Sequence, residues 1–535
     1  MSQHRTGHVD TFAADRLPPP EARPVLRDDL AGLDYPARLN AAAELLDGTI
    51  ARYGADRPCL STPDDTWTYA ETRRRVDGIA RVLVDELGVV AGNRVLLRGP
   101  NNAWLAACWL ATLKAGAIAV TTMPLLRPAE LRPVLTKSRP AVALCDHRFV
   151  DDLAAADPEL PVVTYGGDGA DDLVSRIRNH TGSFAAADTA ADDIALIAFT
   201  SGTTGEPKGC AHRHKDVLAI ADTFSARLIR PTPEDVFTGS PPLAFTFGLG
   251  QLLIFPLRAG ASTLLLEQGA PPKLAEAIAT HRASVCGTAP TAYRAMLQLD
   301  DLDLSSLRRG VSAGETLPAS TWQAFRDRTG IELIDGIGST EMLHIFIAAA
   351  DDDIRPGATG RPVPGYEAMV VDDDGAEVPD GQLGRLAVRG PTGCHYLDDP
   401  RQADYVQRGW NLTGDAFVRD EDGYFWYQAR ADDLIISSGY NIAGPEVEDA
   451  LLSHDAVAEV AVVGVPDEER GELVKAFVVL REGVTGDDAM VEALQEHVKQ
   501  AIAPYKYPRA IEFRVGLPRT QTGKLQRFRL RDETG

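Results

Sequence analysis

The chain has 535 residues, of which 44% are hydrophobic and 24% charged, with 54 Lys and Arg against 77 Asp and Glu for a formal net charge of -23. Hydrophobic cores stop growing near roughly 250–300 residues, so one large, subdivided body and at least one smaller domain are expected. A field of this sign excludes general electrostatic binding of nucleic acid, and it leaves any anionic ligand to backbone N–H groups, a few local cations and a metal.

The six cysteines (Cys59, Cys108, Cys145, Cys210, Cys286, Cys394) lie far apart with no C-x-x-C pair. This pattern fits reduced thiols and excludes a zinc ribbon or a disulfide framework. No run of ~20 apolar residues suggests a membrane span. The first 24 residues, with His4, Arg5, Asp10 and three consecutive prolines at 18–20, lack the apolar run of a signal peptide. The expected compartment is the cytoplasm, and residues 1–34 are expected to be a flexible, surface-draped leader.

Helical periodicity first appears over 39–53. It recurs over 69–87, where Val76, Ile79, Ala80, Leu83 and Leu87 share a face. Short apolar runs at 94–98, 117–121, 142–145 and 194–199 read as strands. The intervening stretch 103–115 is almost wholly apolar and reads as a buried helix. Runs at 262–266, 284–286 and 332–334 continue the alternation, which predicts parallel α/β layers. After about residue 360 the text changes. Runs at 368–371 and 385–389, separated by Asp-Gly turns at 374–375, 380–381 and 422–423, read as antiparallel β structure.

A boundary is expected near 430–433. It would leave residues 35–431 as an N-terminal domain and 432–535 as a small α+β domain. Within the small domain, strands are expected at 457–463, 474–480 and 511–515, with a helix over 488–503. The fold class is therefore α/β: a large N-terminal body of layered α/β subdomains plus a β-rich subdomain, with a small mobile α+β C-terminal domain.

The strongest local signal is FTSGTTGEPKG at 199–209, directly after an apolar strand. Gly202, Gly205 and Gly209 allow tight turns and close backbone approach. Ser201, Thr203 and Thr204 supply hydroxyls, the loop supplies N–H donors, and Lys208 adds a positive charge, a combination that can cradle phosphate. It is not a Walker A loop, which needs Lys followed by Ser or Thr. Here Lys208 follows Pro207 and precedes Gly209.

This loop resembles the signature of the adenylate-forming superfamily of acyl-CoA synthetases, peptide-synthetase adenylation domains and luciferases. Five further matches follow in the family's order: SAGETLP at 312–318, DGIGSTEM at 335–342, TGD at 413–415, RADDLIISSGYNIAGPEVE at 430–448 and PRTQTGKLQR at 518–527. The resemblance spans nearly the whole chain and implies activation of a carboxylic acid with ATP, Mg²⁺ and coenzyme A as cosubstrates.

Carried over position by position, it implies nucleotide contacts from Thr200, Ser201, Gly202, Thr203, Thr204, Gly205 and Lys208. It implies adenine-side contacts from Ser312, Ala313, Gly314 and Glu315, and further contacts from Asp335, Gly336, Gly338 and Ser339. Asp415 would hold the ribose hydroxyls, with Arg430 beside it on the sugar or a phosphate. Glu341 would hold the metal, Thr340 would add a phosphate contact, and Lys524 would enter from the C-terminal domain as the adenylation lysine. Asp432 matches the hinge. Ser438, Gly439 and Tyr440 belong to the loop that meets the pantetheine arm, where a glycine leaves room.

Two segments are expected to line the acyl pocket. In PPLAFTFGLGQ (241–251), Thr246 follows Phe245 where amino-acid-activating members carry an Asp. A substrate ammonium would therefore lack its partner. Phe245 and Phe247 suggest an aromatic or apolar ligand, and Gly248 is expected to line the same pocket. In STEMLHIF (339–346), Met342, Leu343 and His344 would close a short pocket, with His344 either a ligand contact or a structural histidine. Together with FGLG and GTAPTAY (287–293), this segment resembles the benzoate and 2-aminobenzoate CoA ligase branch. Benzoate members carry Ala-Tyr where this chain has Thr246 and Phe247. Thr246 can hydrogen-bond an ortho amino or hydroxyl group, so 2-aminobenzoate is the first choice, with benzoate and salicylate next. The alternative is a stand-alone enzyme that loads a separate carrier protein, and the family suggests a homodimer.

Overall fold

The computed structural model describes residues 5–29, 33–200, 207–430, 434–437, 440–467, 470–519 and 525–533. Two large mixed sheets form the body. In the nine-stranded sheet the order is Arg361–Pro362, Ile345–Ala348, Leu333–Gly338, Arg309–Ala313, Val285–Thr288, Val236–Gly239, Ser262–Leu264, Pro58–Ser61, Thr66–Thr68. Its six central strands run parallel, and the antiparallel strands sit at its two edges. The six-stranded sheet runs Val162–Tyr165, Val142–Asp146, Arg94–Arg98, Ile118–Thr122, Ile194–Thr200, Lys208–Arg213, and only the last strand is antiparallel. The expected parallel α/β layering is thus observed.

Helices between the sheets explain the apolar stretches. Helix Ala103–Lys114 starts at Asn102, whose side chain accepts from the Leu105 N–H, and nearly every one of its residues is buried. Its last residue, Lys114, is only 2% exposed and is held by Asp77 at 2.7 Å and Asp47 at 2.8 Å. A buried ammonium persists only when it is paired in this way. Helix Tyr69–Arg81 opens with a capping box between Thr68 and Glu71. The continuous helices expected over 39–53 and 69–87 each contain a wider π turn, at Ala43–Asp47 and Val82–Glu86.

The β-rich subdomain is an antiparallel sheet of Glu367–Val371, Leu383–Arg389, Trp410–Arg419 and Val406–Gln407, with Phe425–Arg430 also paired to Trp410–Arg419. The C-terminal unit pairs Tyr440–Ile442, Ile435–Ser437, Gly471–Leu480 and Val457–Asp467, and Ala510–Phe513 runs parallel to Gly471–Leu480. Its separate core gathers Val447, Leu451, Val462, Val478, Leu494 and Val498. Helix Asp488–Ala501 stops short of the expected residue 503 because Pro504 disfavours helical geometry at the residue before it. The last strand ends at Phe513, and Val515 is fully exposed.

Residues 5–29 follow the surface of the body and make specific contacts. The Gly7 N–H donates to Asp193 at 2.8 Å, Asp10 pairs with Arg94, and the Phe12 ring faces the Arg16 and Arg94 guanidiniums. Ala13 is buried, and the N–H groups of Val25 and Arg27 donate to Gly409 and Gly390. A leader expected to be loose therefore carries a defined set of anchors, most of them formed with residues far away in sequence, from Arg94 to Gly409. Among the described residues no helix is long and apolar enough to cross a membrane.

Candidate active site

Ligands in open α/β sheets bind outside the carboxyl ends of the parallel strands. Here those ends carry the residues singled out from the sequence. Strand Ile194–Thr200 turns back into Lys208–Arg213 with Thr200 opposite Lys208 and Phe199 opposite Gly209. A side chain at Gly209 would press on the Phe199 ring at 3.1 Å, so glycine lets the two paired strands pack closely there. Ser201, Gly202, Thr203, Thr204 and Gly205 lie outside the described residues, as do Asp432, Ser438, Gly439 and Lys524. Tyr440 opens strand Tyr440–Ile442.

Lys208 Nζ lies 3.6 Å from Glu341 Oε1 and over the rings of Tyr396 (4.8 Å) and Tyr405 (5.8 Å). Glu341 is 6% exposed, and the Tyr396 hydroxyl donates to its Oε1. Burial, then the Glu341 charge, pushes the Tyr396 phenol far above its ordinary range, which keeps it a proton donor. The turn carrying Glu341 is fixed from several sides. The His212 ring is 2.8 Å from the Thr340 carbonyl, the Leu343 N–H closes onto that carbonyl at 3.1 Å, and Ser339 Oγ accepts from the Met342 N–H. Leu343 takes a left-handed φ of 68°, rare for a branched residue, and is completely buried. Ser339 also meets the Tyr405 hydroxyl at 3.2 Å.

Strand pairing sets Ser312 opposite Asp335 and Ala313 opposite Gly336. Ser312 Oγ, Asp335 Oδ1 and Thr200 Oγ1 are buried with no hydrogen-bond partner among the described residues. Burial pushes the Asp335 carboxyl up to about 8, with Ser312 and the Gly336 N–H pulling the other way. Gly314 has φ 92°, open to glycine, and Glu315 is 3.5 Å from Arg519 of the C-terminal unit. A Cβ at Gly338 would lie 2.7 Å from the His344 carbonyl oxygen. Asp415 and Arg430 face each other across two paired strands at 2.9 Å, and this pairing raises the Arg430 guanidinium further.

The proposed acyl segment forms a helical stretch from Thr246, with Phe245 at its N-cap. His344 lies against it. Its ring centroid is 4.6 Å from Phe255, 5.3 Å from Phe224 and 5.7 Å from Phe247. Burial pushes its pKa down to about 3, so the imidazole is neutral. Met342 is buried with no exposed surface, and its carbonyl accepts from Thr392. Thr246 and Gly248 are also buried, and a Cβ at Gly248 would strike the Pro242 carbonyl at 2.1 Å.

The structure therefore pairs Thr200 with Lys208, Lys208 with Glu341, Ser312 with Asp335 and Phe247 with His344, and it sets Ser339, Thr340 and Met342 in the turn that carries Glu341. Tyr396 and Tyr405, which bracket Lys208 and Glu341, were not expected. Their segment has no local pattern, and Tyr396 reaches the site through a long-range bridge to Cys210. Among the described residues no group of three or more His, Cys, Asp or Glu could hold a metal ion. A lone buried carboxylate still fits Mg²⁺, which takes one or two carboxylates and completes its shell with waters and substrate phosphates.

The profile of the AMP-binding enzyme family matches residues 46–395, and that of the AMP-binding enzyme C-terminal domain matches 446–524. The chain is 35% identical over 510 residues to benzoate–CoA ligase of Thauera aromatica, covering 93% of this chain and 97% of that one. It is 32% identical to 3-hydroxybenzoate–CoA ligase of Aromatoleum sp. (strain CIB), covering 92% and 97%. A crystal structure of the anthranilate CoA ligase AuaEII in complex with anthranoyl-AMP superposes with a TM-score of 0.89 at 36% identity, covering 94% of this chain and 98% of that one. The ordered motifs, the layered body with its small C-terminal unit and these matches place the chain in the AMP-binding, adenylate-forming enzyme family, among the acid–thiol ligases and in their aryl-CoA ligase branch.

Proposed function

We propose that this chain is an ATP-dependent aryl-CoA ligase whose preferred acid is 2-aminobenzoate. A carboxylate oxygen of the acid attacks the α-phosphorus of ATP, pyrophosphate leaves, and an aryl-adenylate forms. The sulfur of coenzyme A then attacks the acyl carbon, and AMP leaves with the electron pair of the broken acyl–oxygen bond.

The observation that carries the reading is the wall around His344. Three phenylalanines surround its neutral imidazole, and among the described residues no charged group acts on it. A flat, uncharged ring fits such a wall, and an α-ammonium does not. An aniline nitrogen is neutral at pH 7 and needs no acidic partner, and Thr246 offers it a hydroxyl. The relatives that act on benzoate, 3-hydroxybenzoate and anthranilate support the same class.

The first step opposes an anionic acid and an anionic phosphate, so positive charge and oriented donors are required. Lys208 supplies charge beside the hairpin, and Lys524 brings a second from the C-terminal domain. Glu341, oriented by Tyr396, would hold Mg²⁺, which supplies charge neutralisation on the phosphates when bound. Asp415 and Arg430 would take the ribose. The body over 35–431 and the C-terminal unit over 432–535 would then alternate about Asp432, withdrawing Lys524 and presenting Gly439 to the pantetheine arm.

The test is a competition. The protein is given ATP, Mg²⁺, CoA and equimolar 2-aminobenzoate, benzoate, salicylate, phenylacetate and hexanoate, and early thioesters are identified by mass spectrometry. A dominant 2-aminobenzoyl-CoA supports the full reading. Hexanoyl-CoA as the main product refutes the aryl pocket. AMP release without thioester points to a carrier protein as acceptor.

A further inference from the structure

A second polar side chain lies in the same helical stretch as the acyl wall. Gln251 has no exposed surface, yet neither its Oε1 nor its Nε2 has a hydrogen-bond partner among the described residues. It lies one helical turn beyond Phe247, within the segment that continues as Gly250–Ile254. Its side chain lies against Gly287, where a Cβ would stand 2.4 Å from its Cγ and 2.8 Å from its Cδ. Gly287 is in strand Val285–Thr288 near its carboxyl end, opposite Gly239 and Val311, at the end of the sheet where ligands of such folds bind.

The preceding residue, Gly250, plays the same part for His344. A Cβ there would lie 2.4 Å from Cδ2 and 2.7 Å from Nε2 of the imidazole. His344 is 2% exposed; the Phe247 backbone acts on its imidazole, yet neither ring nitrogen completes a hydrogen bond of ordinary geometry among the described residues.

Buried amides and imidazoles in native proteins are almost always hydrogen-bonded, because an unmade bond carries the full desolvation cost of the group. Two groups in that condition, each made room for by a glycine, are hard to reconcile with a purely structural role. An apolar pair would pack there without the penalty. Their chemistry also limits what completes them. A primary amide both donates and accepts, and so does a neutral imidazole. Neither carries charge, so the complement is a neutral group that also donates and accepts.

We propose that Gln251, together with His344, is the specificity-determining polar end of the acyl pocket and recognises a hydroxyl or amino substituent on the aromatic ring. This rests on the aryl-CoA ligase reading above and adds to it. Substituted benzoates bearing such a group are preferred over benzoate, and Gln251 enforces that preference. A site built to hydrogen-bond a substituent rejects the analogue lacking it more strongly than an apolar pocket rejects an added group.

The test compares wild type with Gln251→Met, close in shape but unable to make these bonds, and Gln251→Asn, which keeps the amide on a shorter stem. For each, kcat/KM is measured with benzoate and with the three monohydroxy- and three monoaminobenzoates, alongside KM for ATP and the melting temperature. The expected result has two parts. Gln251→Met loses about 10–100-fold on the best hydroxy- or aminobenzoate, and it leaves benzoate within about threefold. Gln251→Asn recovers part of the lost discrimination. An equal loss on every acid, or wild-type preference for benzoate over all six substituted acids, overturns the assignment of Gln251 and leaves the aryl-CoA ligase reading intact. If wild type activates none of the seven aryl acids, the ligase reading itself fails and this inference falls with it.

Discussion

Replacing Asp335 by Asn should make the protein more stable at neutral pH, and by an amount that grows with pH. The residue is partly buried, its Oδ1 is shut off from solvent with no partner among the described residues, and burial pushes the carboxyl from 3.8 up to about 8. At pH 7 it is protonated in the native protein and ionised in the unfolded chain, so folding takes up a proton. Below 3.8 both states are protonated and pH has no effect through this group. Above that point stability falls by about 1.4 kcal/mol per pH unit, until the native carboxyl also ionises near 8. Between 3.8 and 7 this amounts to about 4 kcal/mol, a large share of the 5–15 kcal/mol typical of a folded domain. Asn has nearly the same shape, keeps a hydrogen-bonding carbonyl and cannot ionise.

Three buried histidines act in the opposite direction. His214 and His344 are pushed down to about 3 and His395 to about 4 by burial, so they weaken the fold as pH drops below 6.5. They are common to both proteins and cancel in the difference. Urea unfolding of the large body at pH 5, 6, 7 and 8 should therefore show a gap between variant and wild type that widens in favour of Asn. A gap independent of pH would mean that Asp335 titrates as an ordinary carboxyl, and the burial argument would fail. In the proposed nucleotide site, a donor group of the adenine facing Oδ1 would favour the ionised form, so ATP binding should release a proton at pH 7, measurable in buffers of different ionisation enthalpy.

Lys524→Ala should lower adenylation about a thousandfold, since one close charge pair at an effective dielectric near 20 is worth about 4 kcal/mol. Thioester formation from preformed aryl-adenylate should be unchanged in single-turnover assays, and equal loss in both half-reactions would remove the lysine from its role. Tyr396→Phe keeps the ring over Lys208 but removes the hydroxyl that donates to Glu341. A hydrogen bond to a charged group is worth about 1.5–3 kcal/mol, so kcat/KM for adenylation should fall about 10–100-fold. Wild-type rates in that variant would show that Glu341 needs no such anchor. Asp432→Pro should retain pyrophosphate release and lose thioester formation, and normal CoA ligation would refute a hinge at that residue.

What was legible in the sequence is what depends on near neighbours in the chain. The alternation of apolar runs and helical stretches was enough for the parallel layers, because each strand and each helix carries its own period. The Asp-Gly turns marked the antiparallel subdomain for the same reason. The ordered motifs singled out Lys208, Ser312, Asp335, Glu341 and Asp415 because each lies in a short stretch of sequence with its own local grammar. The π turns inside two helices left no mark, since one extra residue in a turn barely changes the apolar period. Residues 5–29 read as loose because their anchors, Asp193, Gly390 and Gly409, lie far away in sequence. Tyr396 and Gln251 were missed for a related reason. Tyr396 sits beside Glu341 because Cys210 bridges to it, and Gln251 packs where it does because Gly287 of another strand leaves it space. The motifs thus specify chemistry common to every acid the family activates, while the choice of acid rests on side chains brought together by packing. A residue that selects substrate is for that reason found by its unmet hydrogen bonds in the fold rather than by any pattern in the chain.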